Sequence, residues 1–355
     1  MALIDQLDKY HLCYLIVNDI TDDHFDGLSH VVEHTLLTAS SIEVKSAGRG
    51  YTCANHVWLC FSNEKIDVLT EIDRLIFTGE IITQENVDIA KSQVKDEIMR
   101  LQGQTDKNNR MIHFITEGRI EKFSMGDVEQ INQIQVTDVR TWLEENKKCC
   151  HIFRFLFKDA KSMIFTSVAS KNQIIESSYS DSMSDALKDA YLYVDSPYEA
   201  QYIHVYFRIP ILRSKDDIIR KAFYEFCIHR KLSESFGIET NIADNFYDID
   251  ERYVRMDFEM DKTSTVEDMV GKIRAAVNSL SNIEIEHFFY EFKDCVLRIM
   301  CRTEYNSEVI NSIKNGIIYE IPHITLKDVE DFDFTQLGEF PKERITLSPL
   351  KVIIS

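Results

Sequence analysis

Apolar and polar positions alternate between two kinds of rhythm along the chain. Leu12-Cys13-Tyr14-Leu15-Ile16-Val17 is a short apolar run with the character of a strand. Asp26-Gly27 then turns the chain into an amphipathic helix predicted over Leu28 to Ala39. A turn-rich segment, Ser46 to Gly50, leads into β-forming Tyr51-Thr52-Cys53 and Val57-Trp58-Leu59-Cys60-Phe61. Helical spacing returns at Glu64 to Phe77, where Ile66, Leu69, Ile72 and Ile76 form one stripe, and again at Thr83 to Leu101. Thr83, with Gln84 and Glu85 behind it, reads as the cap of that second helix. A further helix is predicted from Val136 to Glu145, then a strand at His151-Ile152-Phe153-Arg154-Phe155-Leu156-Phe157.

From Lys158 to Pro197 the chain is rich in Ser and Asp, most of all at Ser177 to Ser184, and a domain junction is expected there. The order then restarts. Strand Tyr202 to Ile209, helix Lys215 to Leu232, strands Ile238 to Phe246 and Tyr253 to Met260, and helices Thr265 to Leu280 and Glu284 to Ile299 follow. A last strand is expected at Leu350 to Ile354. Ile134-Gln135-Val136-Thr137-Asp138-Val139 is echoed by Ile324-Thr325-Leu326-Lys327-Asp328-Val329, each ahead of a later strand, which suggests an internal duplication. The expected fold class is α+β: two tandem, structurally similar domains, 1–182 and 183–355, each a mainly antiparallel sheet packed with helices.

Composition narrows the function classes. The 355 residues suffice for two domains with full cores, and 44% hydrophobic content marks a globular chain. The net charge of −19 disfavours a broad nucleic-acid surface and attachment to an anionic membrane. The 8 cysteines contain no CxxC pair, and four sit in apolar or strand-like runs, a usage that fits a reducing, cytoplasmic compartment. Met1 to Tyr10 carries Asp5 and Asp8 and does not read as a secretory signal, and no window is apolar enough to span a membrane.

The candidate chemistry lies in His30-Val31-Val32-Glu33-His34. On a helix, positions i, i+3 and i+4 share a face, so His30 and His34 can aim at one point with Glu33 beside them. Two neutral imidazoles one turn apart suit Zn²⁺. An adjacent carboxylate is placed to take a proton from a water on that ion. A catalytic zinc needs a third protein ligand. His11, His24, His56 and His113 are candidates, but Glu97 is the better one: it flanks the buried stripe Val87, Val94, Ile98 and Leu101 of the second long helix. Glu85, Asp88 and Asp96 compete with it.

These residues carry a resemblance. Gly27-Leu28-Ser29-His30-Val31-Val32-Glu33-His34 resembles the Gly-Leu-x-His-x-x-Glu-His motif of the pitrilysin/insulinase family of inverted-motif zinc peptidases, in particular half-length members similar to mitochondrial processing peptidase subunits. Ser46-Ala47-Gly48-Arg49-Gly50-Tyr51-Thr52 is similar to the stretch that follows, with Arg49 where the family has Asn. Val94-Lys95-Asp96-Glu97-Ile98 resembles the segment ending in the family's third ligand, which carries over to Glu97. The resemblance implies a zinc endopeptidase in which two such chains close around a peptide, with Glu33 as base and His30, His34 and Glu97 as ligands. Arg49, Gly50, Tyr51 and Thr52 then lie on an edge strand that an extended peptide can join. Ser233 and Thr240 stand where the family carries an Arg and a Tyr that help bind substrate and stabilise the intermediate. Arg252, Tyr253 and Arg255 are an internal substitute weighed against a strand-face role.

The expected function is therefore a zinc-dependent endopeptidase subunit acting on peptides, possible leader or precursor processing included. A related two-domain partner would supply the missing Arg/Tyr pair, and a homodimer is a variant of that arrangement. The alternative is a non-catalytic structural or assembly subunit. There is no GxxxxGK[ST] phosphate loop, GxGxxG or GxSxG elbow to support other site classes.

Overall fold

A computed structural model describes residues 10–18, 23–39, 48–53, 56–63, 81–116, 118, 125–157, 163–168, 190–193, 201–210, 214–237, 240–246, 251–260, 265–300, 314–316, 321–333, 335 and 351–354. The chain divides into two compact units. Unit 1 comprises Met1–Arg110 with Glu121–Glu176, and unit 2 comprises Met111–Ile120 with Ser177–Ser355. The junction expected at 182/183 and the helix expected at Glu64 to Phe77 lie outside the described residues.

Unit 1 is built from β1 (Tyr10–Val17), α1 (Leu28–Ala39), β2 (Arg49–Cys53), β3 (His56–Asn63), α2 (Gln84–Ile115, whose residues from Met111 on belong to unit 2), α3 (Val128–Gln133), α4 (Val136–Asn146), β4 (Cys150–Phe157) and β5 (Met163–Val168). Its strands run β2-β3-β1-β4-β5, antiparallel throughout. Alternation along β1 and β3 sends Leu12, Tyr14, Ile16, Val57, Leu59 and Phe61 to one face. There they meet Val31, Val32 and Leu36 of α1, Val87, Ala90 and Val94 of α2, and Trp142 and Leu143 of α4 in one core.

Unit 2 holds β6 (Ala190–Tyr193), β7 (Gln201–Pro210), α5 (Lys215–Phe236), β8 (Thr240–Phe246), β9 (Glu251–Met260), α6 (Val266–Ser279), α7 (Asn282–Met300), α8 (Leu326–Asp331) and β10 (Lys351–Ile354). Its order is β6-β10-β7-β9-β8. The class is α+β, as expected. The two sheets are also topologically alike: β1 and β7 are central, β3-β2 and β9-β8 extend one side, and β4 and β10 adjoin the other. They differ at one edge, where β5 lies antiparallel to β4 while β6 lies parallel to β10.

The sequence echo has a physical basis. Asp138 accepts from the backbone N–H of Gln135 at 2.7 Å, and Asp328 from that of Thr325 at 2.7 Å, so both short helices open on the same capping box.

Four elements depart from expectation. α2 continues to Ile115 rather than ending near Leu101, because its last turn finds a new apolar surface: Ile115, Met111 and Phe114 pack on Tyr206 and Ile353 within unit 2. β5 and β6 lie inside the stretch read as junction. α3 is one and a half turns with a single buried residue, Ile131, too short to show a period. Among the described residues, no helix is long and apolar enough to cross a membrane.

Candidate metal centre

α1 is buried on both the core stripe and the polar stripe. Leu28, Val31, Val32 and Leu36 face the sheet, yet His30 and Glu33 are only 8% and 4% exposed. The helix is thus less amphipathic than its pattern suggests: Ser29, His30 and Glu33 are buried and partnered instead of solvated, while the buried Thr35 hydroxyl has no hydrogen-bond partner among the described residues. Its start is held from several directions. Asp23 accepts from the Ser29 N–H at 2.8 Å and from the Trp142 indole at 2.9 Å, and Asn18 donates to Ser29 Oγ at 2.9 Å.

Gly27 (φ +94°) and Gly126 (φ +105°) pack backbone to backbone. A Cβ on Gly27 would lie 2.7 Å from the Cα of Gly126, and the converse contact is 2.8 Å. Only glycine tolerates that approach and those angles. The consequence is functional geometry: the chain just before Gly126 lies beside α1, and the Met125 carbonyl sits 3.0 Å from His30 Nδ1. A carbonyl only accepts, so Nδ1 carries the proton and Nε2 presents its lone pair. On His34 the same task falls to Gln93, whose Oε1 lies 3.2 Å from Nδ1.

α2 brings Gln93 and Glu97 to α1. Its placement is tied down by Lys91, only 8% exposed, which donates to the carbonyls of Asn132 (2.9 Å) and Ile134 (2.8 Å) at the end of α3. Lys91 thus links α2 to the segment that supplies the Met125 carbonyl.

The two imidazoles lie 4.9 Å apart, centroid to centroid. Glu97 Oε2 is 3.7 Å from His30 Nε2 and 3.5 Å from His34 Nε2. One ligand atom from each of the three residues falls within 4.8 Å of the others, the one such metal-capable trio among the described residues. Two donors on one tetrahedral Zn²⁺, each at about 2.0–2.2 Å, are about 3.3–3.6 Å apart. The His34–Glu97 distance lies in that range and the His30–Glu97 distance of 3.7 Å just beyond it, and the donor set of two nitrogens and one oxygen suits the ion. Burial pushes the His30 imidazole below its ordinary pKa, against the Met125 bond, and so favours the neutral form a metal needs.

Glu33 lies outside that trio. Burial pushes its carboxyl up to about 7; the Thr52 hydroxyl, donating at 2.7 Å, opposes the rise, and the Glu97 charge adds to it. Gly50 packs against it so closely that a Cβ there would meet Glu33 Oε1 at 2.7 Å. Gly50 and Thr52 are two apart on β2 and share a face, whereas Arg49 and Tyr51 are exposed. Among the described residues, β2 is an edge strand of its sheet. Beside His34 a cleft of about 700 Å³ opens between α1 and α2, walled by Leu37, Gly48, Ile89, Asp96 and Arg100.

The other candidates lie elsewhere. His24 is exposed, and His56 is buried with its ring 5.8 Å from that of Tyr51. His113 belongs to unit 2, and the His11 side chain lies outside the described residues. Asp88 pairs with Lys91 at 3.7 Å, Asp96 lines the cleft, and Glu85 is exposed in the first turn of α2. Ser233 is half-buried near the end of α5, and Arg255 pairs with Asp257 at 2.9 Å; the side chains of Thr240, Arg252 and Tyr253 lie outside the described residues. Met125, Gly126 and Gln93 were not singled out by the sequence. The signal available was a glycine followed by the helix cap Asp127, which accepts from Gln130 N–H at 2.9 Å.

The fold is that of M16-type peptidases and their half-length domains. A periplasmic protease from Escherichia coli, PqqL, matches with a TM-score of 0.68 at 11% identity over 98% of this chain, which spans 45% of the PqqL chain. A protease from Helicobacter pylori matches with a TM-score of 0.59 at 10% identity, covering 98% of this chain and 93% of that one. An inactive peptidase M16 domain from Pseudomonas fluorescens matches with a TM-score of 0.62 at 9% identity, covering 98% and 92%. At such identities the likeness is one of fold. A scan against protein-family models and a search of curated proteins find no match.

Proposed function

We propose that this chain is a zinc-dependent endopeptidase subunit. The observation that carries the reading is the meeting of His30, His34 and Glu97 donor atoms beside a buried, protonatable Glu33. His30, His34 and Glu97 would hold the ion. When bound, zinc supplies Lewis acidity, lowering the pKa of water towards neutrality and polarising a peptide carbonyl.

Glu33 accepts the proton of the attacking water and returns it to the departing amine. Thr52 holds one of its oxygens, and Gly50 leaves room for the other. The backbone of β2, at the sheet edge, pairs with an extended peptide, so selection falls to side-chain pockets such as the cleft beside His34. Ser233 and Thr240 offer neither guanidinium nor phenol to a developing oxyanion, which favours a related second subunit, or a second copy, as the source of those donors. Leader or precursor peptides are a substrate class that such a paired chamber suits, and the cysteine usage fits a cytoplasmic setting.

The test is bound-metal analysis together with peptide hydrolysis by the wild type and Glu33→Gln, each with and without a co-purifying chain of similar length. Zinc retained by both, with hydrolysis lost only in Glu33→Gln, is the expected result. Protein without affinity for zinc, or hydrolysis that survives Glu33→Gln, overturns the reading. A metal-loaded wild type that remains inert with its partner favours the assembly subunit, a role consistent with the fold shared with an inactive M16 domain.

A further inference from the structure

Cys13 and Cys60 stand directly opposite each other on antiparallel β1 and β3. Their sulfur atoms are 2.7 Å apart, well inside van der Waals contact. Directly opposed residues of an antiparallel pair have Cα atoms about 4.5–5.5 Å apart, within the span of a disulfide. Bond formation therefore asks only for a small rotation of two side chains, with the strands in place.

The surroundings set an order of reaction. Cys13 is fully buried, whereas Cys60 is partly exposed. Arg49 lies opposite Cys60 on the other flank, on β2, so the row across the sheet reads Arg49, Cys60, Cys13, Phe153. Partial exposure lets a small disulfide reach Cys60, whereas burial holds the Cys13 thiol well above its ordinary pKa. Cys60 is thus the entering nucleophile and Cys13 the resolving thiol, whose low reactivity is offset by its contact with Cys60.

We propose that Cys13 and Cys60 form a redox-modified pair that small-molecule disulfides convert to an intramolecular disulfide. Cys60 attacks the small disulfide and displaces one thiol; Cys13 then attacks Cys60 Sγ and displaces the second. The two protein protons leave on the two released thiols, and the reagent takes both electrons. The closed loop runs from β1 to β3 and encloses α1 and β2, the elements bearing His30, Glu33, His34, Gly50 and Thr52. Oxidation staples the candidate metal centre's own segment. This holds whether or not the chain hydrolyses peptides.

The experiment treats the native full chain with glutathione disulfide, alkylates remaining thiols and maps peptides by mass. The expected product links Cys13 to Cys60 with loss of two hydrogens and no retained glutathione, and its thermal midpoint rises by about 5–10 °C. Cys13→Ser should instead hold glutathione stably on Cys60. Both thiols remaining alkylatable, a stable glutathione adduct on wild-type Cys60, or linkage of Cys60 to another cysteine overturns the proposal. The wild-type peptide map decides the matter even if the serine variant fails to fold.

Discussion

Glu33→Gln should make the metal-free protein more stable, and only above a definable pH. The carboxyl is pushed from 4.5 up to about 7, chiefly by burial. The folded protein therefore keeps the Glu33 proton in a range where the unfolded chain has released it. Raising the pH through that window favours the unfolded state. At about 1.36 kcal/mol per unit, the accumulated cost above pH 7 is about 3 kcal/mol. Glutamine has nearly the same shape, still accepts from Thr52 and does not titrate. The variant and wild type should thus melt alike near pH 4.5. They should diverge steadily to pH 7, with the variant ahead by about 6–12 °C at pH 8. Thermal melts in a chelating buffer across pH 4.5 to 8 measure this. A difference independent of pH, or a wild type that is the more stable partner at pH 8, would refute the assignment of Glu33 as a buried carboxyl held near neutrality.

Gly126→Ala should weaken zinc binding by about 10- to 100-fold in a competition assay, because the new Cβ drives the Met125 carbonyl away from His30 Nδ1. Gly50→Ala should cost about 1–3 kcal/mol in denaturant titration, since its Cβ meets the Glu33 carboxylate and Leu59 below 3.0 Å. Lys91→Met should cost about 2–3 kcal/mol by the same measurement, as the carbonyls of Asn132 and Ile134 lose a buried charged donor. In unit 2, hydrogen bonding by Lys215, then Thr325, holds Asp328 down at about 2. Its stabilising effect is present above the ordinary carboxylate pKa and fades as pH falls towards 2. Solvent screening of this exposed pair leaves only part of that shift as stability, so Asp328→Asn should lose about 1 kcal/mol at pH 7 and progressively less as the pH falls through 2, followed by acid titration of the melting curve.

Elements with strong local signals were legible in the sequence to within a residue or two. The bounds of α1 match because Gly27 ends the preceding turn and the apolar stripe starts at Leu28. α4 and α8 were visible as an echo because a capping box is a local device: the cap and its Asp three residues on are neighbours in the chain. Where the signal was not local, the reading faltered. Beyond Leu101 the polar run Gln102 to Asn109 carries no apolar period, and what keeps α2 helical to Ile115 is a surface of unit 2. β5 is six residues set among Ser, Lys and Asp, and its pairing partner β4 lies across a segment that reads as linker.

The same division applies inside the candidate centre. His30, Glu33 and His34 share one helix turn, so their spacing alone brings them together. Glu97 is 63 residues further on, and its approach to the imidazoles depends on how α2 is rotated. That rotation is set by the buried Val87, Ala90 and Val94 together with Lys91, whose bonds reach carbonyls of the α3 segment. The proton on His30 Nδ1 is fixed by a backbone carbonyl, a group every residue carries and no side-chain pattern reveals. Such supports are distributed over α1, α2 and the Met125–Asp127 turn: the turn is held to α1 by the Gly27–Gly126 contact, and α2 to the end of the following α3 by Lys91. Disturbing any one of them should then loosen the trio without touching a ligand. The sharpest case is the Gly27–Gly126 contact: two residues with no side-chain chemistry set the orientation of an imidazole.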